Sequence, residues 1–319
     1  MSTPPARIAS LLPSATEIVC ILEAQADLVG VSHECDFPRG VDGLPVLTRA
    51  RLAPVRSSKD IDREVREAMK DALAVYEIEL ERLESARPDV IVTQDLCEVC
   101  AVSFDDVCSA VNKLARQDVR IVNLHPTRLA DIWADIARVG QALGRDAVAA
   151  RVVAGLRERV NAIAQRAERA AHKPTVLSIE WIAPVMIGAM WMPELMTLAG
   201  AVPLVTKPGE HAPTLSMAQL AALDPEVVLV KPCGLALART LEELPVLRDS
   251  LPWSSWRAVR EGRVYVADGN AYFNRPGPRI VESLEILAAC AHPELFEDFR
   301  RAHAASVVRI DSGLARHPF

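Results

Sequence analysis

The sequence predicts an α/β protein of two parallel-sheet lobes separated by a long helical stretch. Three observations predict it. Short apolar, β-branched runs alternate with amphipathic stretches along the chain, which is the grammar of βαβ units. The grammar occurs twice: Pro88-Asp89-Val90-Ile91-Val92 and Pro225-Glu226-Val227-Val228-Leu229-Val230 each run Pro, acid, β-branched strand, with a cysteine shortly beyond. Between the repeats, an apolar-striped run extends from Arg128 to Lys173, broken at Leu143-Gly144-Arg145. Its second half starts after Asp146, a candidate N-cap. Val148, Val152, Val153, Leu156, Val160 and Ile163 then recur at three- and four-residue steps. From Ala147 to Ala171, about 25 residues span roughly 38 Å, long for a helix inside one compact domain. The expected division is an N-terminal lobe 1–127, connecting helices 128–173 and a C-terminal lobe 174–319, with a ligand held between the lobes.

Taken in order, Arg7 to Leu12 reads as a strand. Ser14 and Glu17 have capping-box spacing before a helix to about Ala24. Leu28 to Val31 is a strand, 39–60 a loop, and Asp62 to Ser85 a charged helix. Pro88 to Thr93 is a strand, Phe104 to Arg116 a helix, and Val119 to Leu124 a strand. After the connecting helices, Thr175 to Ile179 is a strand, then a loop runs to Trp191 and a helix covers Pro193 to Leu198. Ser216 and Gln219 again have capping-box spacing. Asp224 to Val230 and Arg263 to Ala267 are strands, Pro278 to Ala291 is the last structured helix, and the tail after Phe299 is expected to be loose. In parallel sheets ligands bind beyond the carboxyl ends of the strands. That selects 32–37, 94–100, 180–191 and 231–234, with 268–275 as a fifth segment.

The 319 residues are 50% hydrophobic and 24% charged, the balance of a globular protein. A net charge of −6 without a basic stripe argues against a nucleic-acid partner. No apolar run reaches membrane-spanning length. The first residues carry no signal-peptide pattern, and seven cysteines, an odd number, fit a reducing compartment. The expected location is therefore cytoplasmic.

Three groups of residues carry candidate chemistry. The first is His33, Glu34, Cys35 and Asp36 in one strand-end loop, with Asp95, Cys97, Glu98 and Cys100 in another. Thiolates and imidazole at this spacing suit zinc or a similar ion, and C-x-x-C also suits thiol redox chemistry. Buried filler cysteines are the plain alternative. The second is Glu180 and Trp181 with Met186, Met190, Trp191 and Met192, a soft surface for a flat apolar ligand or simply a methionine-rich core. The third is Asn270 to Arg279, where Tyr272 and Phe273 precede a rigid Pro-Gly-Pro turn. There is no nucleophile elbow and no Gly-rich phosphate loop.

Leu12-Pro13-Ser14-Ala15-Thr16-Glu17, Gly30-Val31-Ser32 with Asp36-Phe37-Pro38, Arg87-Pro88-Asp89-Val90-Ile91-Val92, the helical run and Arg275-Pro276-Gly277-Pro278-Arg279 together resemble the helical-backbone (class III) substrate-binding proteins. The resemblance is to the cobalamin and iron-siderophore uptake type, the cobalamin branch most of all, and it covers nearly all of 7–292. It implies two Rossmann-like lobes, a rigid helix between them and a corrinoid or metal chelate in the cleft. It also implies docking on an ABC permease through one acidic residue per lobe. Glu81 matches in the first lobe and Ala218 stands at the second position, so docking is doubtful. Glu34, Arg49, Gln94 and Met186 stand where the resemblance implies aromatics.

The expected function is binding of a corrinoid such as cobalamin, or a related metal chelate, without catalysis. The expected ligand contacts are Ser14, His33, Glu34, Cys35, Trp181, Met186, Trp191, Cys233 and Tyr272, and the expected metal ligands are His33, Cys35, Cys97 and Cys100. The alternatives are a zinc- or thiol-dependent enzyme using Cys97 and Cys100, or an interaction or sensor module without a ligand.

Overall fold

The computed structural model describes residues 6–51, 57–70, 76–94, 104–113 and 118–319. The chain divides into two compact units. One comprises Met1–Arg56, Arg63–Pro126 and Ala130–Gly155; the other comprises Ser57–Asp62, Thr127–Leu129 and Leu156–Phe319.

The first unit is built on a four-stranded parallel sheet of order β2-β1-β5-β6, with β1 Ile8–Ser10, β2 Leu28–Val31, β5 Val90–Gln94 and β6 Arg120–Leu124. β1 is central and buried at every position, aligning Ile8 with Val90 and Ser10 with Val92. Continuous apolar strands such as Val90-Ile91-Val92 are what a parallel sheet covered on both faces requires. Gly30 in β2 lies so close to Leu47 that a Cβ would sit 2.5 Å from its side chain. A small antiparallel pair, β3 Thr48–Ala50 and β4 Tyr76–Ile78, forms a second sheet, tied to β2 by the Leu47 amide on the Val31 carbonyl at 2.8 Å. The helices of this part of the chain are α1 Pro13–Ile21, α2 Ser58–Lys70, α3 Leu80–Ala86 and α4 Phe104–Lys113.

Two expectations fail here for local reasons. The Ser14–Glu17 capping box does not form: Leu12 is the N-cap and Pro13 opens the helix, so Ser14 already lies inside it. The charged helix expected over 62–85 is instead α2, β4 and α3. Tyr76-Glu77-Ile78 pairs with Thr48-Arg49-Ala50, inside the expected loop 39–60, and Glu77 accepts from Arg49 and from Arg51, the latter at 3.0 Å. A partner 28 residues away overrides local helix propensity.

The connecting helices are α5 Leu129–Ala142 and α6 Asp146–Ala167. Gly144 breaks them with a left-handed φ of +66°, and the Arg145 amide reaches back to the Gly140 carbonyl at 2.7 Å. Asp146 is the first residue of α6 rather than its cap, and the helix ends at Ala167, four residues earlier than expected. At 22 residues it is about 33 Å long. The unit division falls within α6, after Gly155.

The second unit holds a seven-stranded mixed sheet of order β13-β12-β11-β10-β7-β8, with β9 also on β7. Its strands are β7 Thr175–Trp181, β8 Met186–Ile187, β9 Val202–Pro203, β10 Val227–Val230, β11 Val264–Ala267, β12 Val307–Ile310 and β13 Arg316–Pro318. β7, β9, β10 and β11 run parallel; β8 pairs antiparallel with β7, β12 with β11 and β13 with β12. The helices are α7 Met192–Leu198, α8 Met217–Ala221, α9 Leu237–Glu242, α10 Leu244–Asp249, α11 Arg257–Arg260, α12 Ile280–Ala291 and α13 Glu297–Ala302. The Ser216–Gln219 capping box on α8 forms with both of its bonds. One core cluster packs Leu177, Ile179, Val228 and Val230 against Trp253 and Trp256.

The tail is not loose. After α13, β12 and β13 extend the sheet, with Val307 and Ile310 buried. Phe319 packs edge-on to Tyr265 at 5.8 Å, and its carbonyl accepts from Arg300 at 3.0 Å. The Arg- and His-rich composition masked a strand whose apolar residues face the core.

In α5 of the first unit, Asp135 is buried beside Arg138, with Oδ2 unpartnered. Burial pushes its carboxyl up to about 6, with Arg138 opposing. Between about pH 4 and 6 the folded protein holds a proton that the unfolded chain has released. Stability therefore falls as pH rises through that window. Asp135→Asn should stabilise the protein at pH 7.5 by at most on the order of 3 kcal/mol. Most of that gain should be gone at pH 4.5, as read by urea melts at the two pH values.

Candidate functional site

In each unit, the loops at the carboxyl edge of the parallel strands hold most of the chemically distinctive side chains. In the first unit the β2 edge carries Ser32-His33-Glu34-Cys35, with the Cys35 amide turning back to the Ser32 carbonyl at 3.0 Å. Two hydroxyl relays organise it. The His33 amide donates to Thr48 Oγ1 at 3.1 Å, His33 Nδ1 lies 2.7 Å from the same oxygen, and Thr48 donates to Ser32 Oγ at 3.0 Å. Cys35 Sγ lies 3.1 Å from Thr16 Oγ1, and Thr16 donates to Ser10 Oγ at 2.7 Å. A hydroxyl has one proton, and Thr16 gives its own to Ser10, so the Cys35 S–H is the donor in that pair.

Tyr76 on β4 packs edge-on to the His33 ring at 5.0 Å and donates its hydroxyl to Glu34 Oε1 at 2.7 Å. Partial desolvation lowers the His33 pKa, with Glu34 opposing, so the imidazole is neutral at pH 7. Ser14 is buried on α1 with its hydroxyl unpartnered.

In the second unit the organising group is an ammonium. Lys231 follows the last residue of β10 and is fully buried. Its Nζ donates to Glu180 Oε2 on β7 at 2.7 Å and to Asn274 Oδ1 at 2.8 Å. The Asn274 amide returns two bonds, to the Lys231 carbonyl at 3.1 Å and the Gly269 carbonyl at 2.9 Å. Gly269 must be glycine, because a Cβ there would sit 2.0 Å from the Pro232 carbonyl oxygen. Asp268 accepts from the amides of Asn270 and Ala271 at 3.0 and 2.8 Å, closing the loop after β11.

Around this clamp lie the residues singled out from sequence. Trp181 and Met186 face each other across β7 and β8, both half-buried, and the Trp181 Nε1 has no partner. Cys233 is half-buried, and its amide donates to the Glu180 carbonyl at 3.0 Å. Trp191 is only 5% exposed and donates its indole N–H to the Phe273 carbonyl at 2.8 Å, so it has little surface left for a ligand. Tyr272 packs edge-on to His303 at 6.0 Å with the Arg279 guanidinium 5.5 Å from its ring.

Two of the four expected metal ligands, His33 and Cys35, fall among the described residues. Cys97 and Cys100 lie outside them. His33 and Cys35 hydrogen-bond in different directions, and no group of three or more His, Cys, Asp or Glu is placed to hold an ion among the described residues. Sequence reasoning missed Thr48, Tyr76, Lys231 and Asn274 as site-shaping residues. The signal for Lys231 was present: a lone cation placed directly after a four-residue apolar strand.

Residues 8–271 match a family described as periplasmic binding protein. An uncharacterized ABC transporter substrate-binding lipoprotein (YvrC) of Bacillus subtilis strain 168 is 21% identical over 301 residues, covering 92% of this chain and 82% of its own. A periplasmic heme binding protein from Pseudomonas aeruginosa has a similar structure, at 23% identity and a TM-score of 0.66, over 91% of this chain and 94% of its own. So has the periplasmic vitamin B12 binding protein BtuF of Vibrio cholerae, at 18% identity and a TM-score of 0.63, over 90% and 97%. At these identities the solved structures speak to the fold. The expectation of a cytoplasmic protein is overturned: the matching family is periplasmic and the Bacillus relative is a lipoprotein. Neither the cysteine count nor the composition of the first residues outweighs that.

The clamp has a measurable energetic signature. Glu180→Ala strands a buried ammonium and should cost about 3–5 kcal/mol. Lys231→Met should cost less, because the Glu180 side chain is 26% exposed and can turn to water. The double variant should recover most of the Glu180→Ala loss in a double-mutant cycle read by chemical denaturation.

Proposed function

Since the chain belongs to the periplasmic binding protein family, we propose that it is the ligand-binding component of an ABC transport system for a metal chelate of the corrinoid or heme class. Family membership makes it a binding protein rather than an enzyme. The match over residues 8–271 carries this reading. The chemistry at the strand edges supports the ligand class. Trp181, Met186 and the Cys233 thiol offer a soft, polarizable surface suited to a flat macrocycle. His33, Glu34 and Tyr76 offer polar groups and a neutral imidazole. The names of the solved relatives, binders of heme and of vitamin B12, agree with such a ligand.

Docking on a permease would use exposed acidic residues. Glu81 in the first turn of α3 is exposed and stands where the family resemblance places one. Ala218 on α8 supplies no charge at the second position. Among the described residues no helix is long and apolar enough to cross a membrane.

Gel filtration of the protein with cyanocobalamin or ferric protoporphyrin IX tests the reading. One of the two should co-elute at about one equivalent per chain, with a change in its visible absorption. Retention of neither overturns the proposal.

A further inference from the structure

We propose that Nε2 of His33 is the protein's axial ligand to the metal centre of the bound chelate. The inference rests on the function proposed above and adds the atom that would touch the metal.

His33 is anchored through its Nδ1 edge. Thr48 has one hydroxyl proton, and it is donated to Ser32 Oγ. The two remaining electron pairs of Thr48 Oγ1 then accept from the His33 amide at 3.1 Å and from the His33 ring at 2.7 Å. The ring nitrogen facing Thr48 is Nδ1; with the Thr48 proton on Ser32, the contact assigns the Nδ1–H tautomer, which leaves the lone pair on Nε2. Metal-binding histidines are held this way, with the far nitrogen donating to a fixed acceptor that sets tautomer and orientation. Both members of the relay, Thr48 and Ser32, are buried, whereas His33 itself is exposed. Tyr76 packs edge-on to the ring at 5.0 Å, and Tyr76 is itself tied to Glu34. An exposed imidazole is thus fixed by residues of β3 and β4, with its unprotonated nitrogen pointing away from the relay.

Four of the other histidines are already engaged. His172, His292, His303 and His317 each use Nε2 in a hydrogen bond, to Glu226, the Gly200 carbonyl, Glu285 and Asp311 respectively. The Cys35 thiol is buried and bonded to Thr16. The Tyr76 hydroxyl is bonded to Glu34. Neutral imidazole nitrogen suits iron and cobalt alike, so the ligand would be a chelate with an open or water-occupied axial position.

The probes are ferric protoporphyrin IX and diaquacobinamide, added to wild type, His33→Ala, Thr48→Ser and Thr48→Val, with folding checked by circular dichroism. Retention by ultrafiltration reports binding; the visible spectrum of the retained chelate reports ligation. The wild-type complex should show the spectrum of an imidazole-bound metal. His33→Ala should retain the chelate with that signature lost, and free imidazole should restore it. Thr48→Ser should match wild type, and Thr48→Val should weaken affinity by about 10-fold or more. A retained chelate whose spectrum is the same in wild type and His33→Ala overturns the ligation while leaving the binding function standing. Failure of the wild type to retain either probe overturns the binding function and the ligation with it.

Discussion

A fully buried ammonium at the end of β10 is the constraint around which the carboxyl edge of the second unit's sheet is arranged. A desolvated charge without a partner costs several kcal/mol, so Lys231 has to be met by Glu180 and Asn274. Those partners belong to the strand before it in the sheet and to the loop after β11. One side chain therefore fixes the carboxyl ends of three strands. The constraint extends to backbone: the loop approaches so closely that Gly269 has no room for a Cβ, and a Cβ at Gly188 would meet Ser178 Oγ at 2.6 Å and Lys231 Cε at 3.3 Å. The clamp leaves Trp181, Met186 and Cys233 half-buried around it, with their positions set by a network they do not belong to.

The first unit reaches order at the same kind of edge with neutral groups. Two relays of hydroxyls, Thr48 to Ser32 and Thr16 to Ser10, accept hydrogen bonds from His33 and from Cys35 respectively. The consequences differ. Cys35 ends buried with its thiol proton in use, a structural residue. His33 ends exposed with a lone pair in hand. Two residues apart in sequence, with equal claims to metal binding by residue type, they are separated by which side of the turn faces the core.

Much of the architecture was legible because it depends on local pattern. The α/β class follows from apolar runs alternating with helices, and the segments after Val31, Thr93, Ile179 and Val230 were placed at strand ends from that grammar alone, although two of those strands run on, to Gln94 and Trp181. The Ser216–Gln219 box formed because nothing competes with it; the identical spacing at Ser14–Glu17 failed because Pro13 takes the first helical position. What stayed illegible depends on distant partners. The β3–β4 pair reads as loop and helix until each strand has the other. The tail reads as charged and loose until Val307 and Ile310 find β11. At the site, types were visible and environments were not: nothing local distinguishes Trp191, locked to Phe273, from Trp181, with an unbonded indole nitrogen. Compartment was misread because the residues of a folded unit carry little record of where it works.

The central claim is that ligand is taken at the carboxyl edges of the parallel strands in each unit. Amide hydrogen exchange with and without saturating chelate tests it most directly, since protection is read segment by segment. The account predicts slowed exchange in 32–36, 180–187, 231–235 and 268–275, with the β12–β13 hairpin and the segment 169–174 unchanged. Protection confined to those latter segments, with the strand-edge loops unaffected, would contradict it.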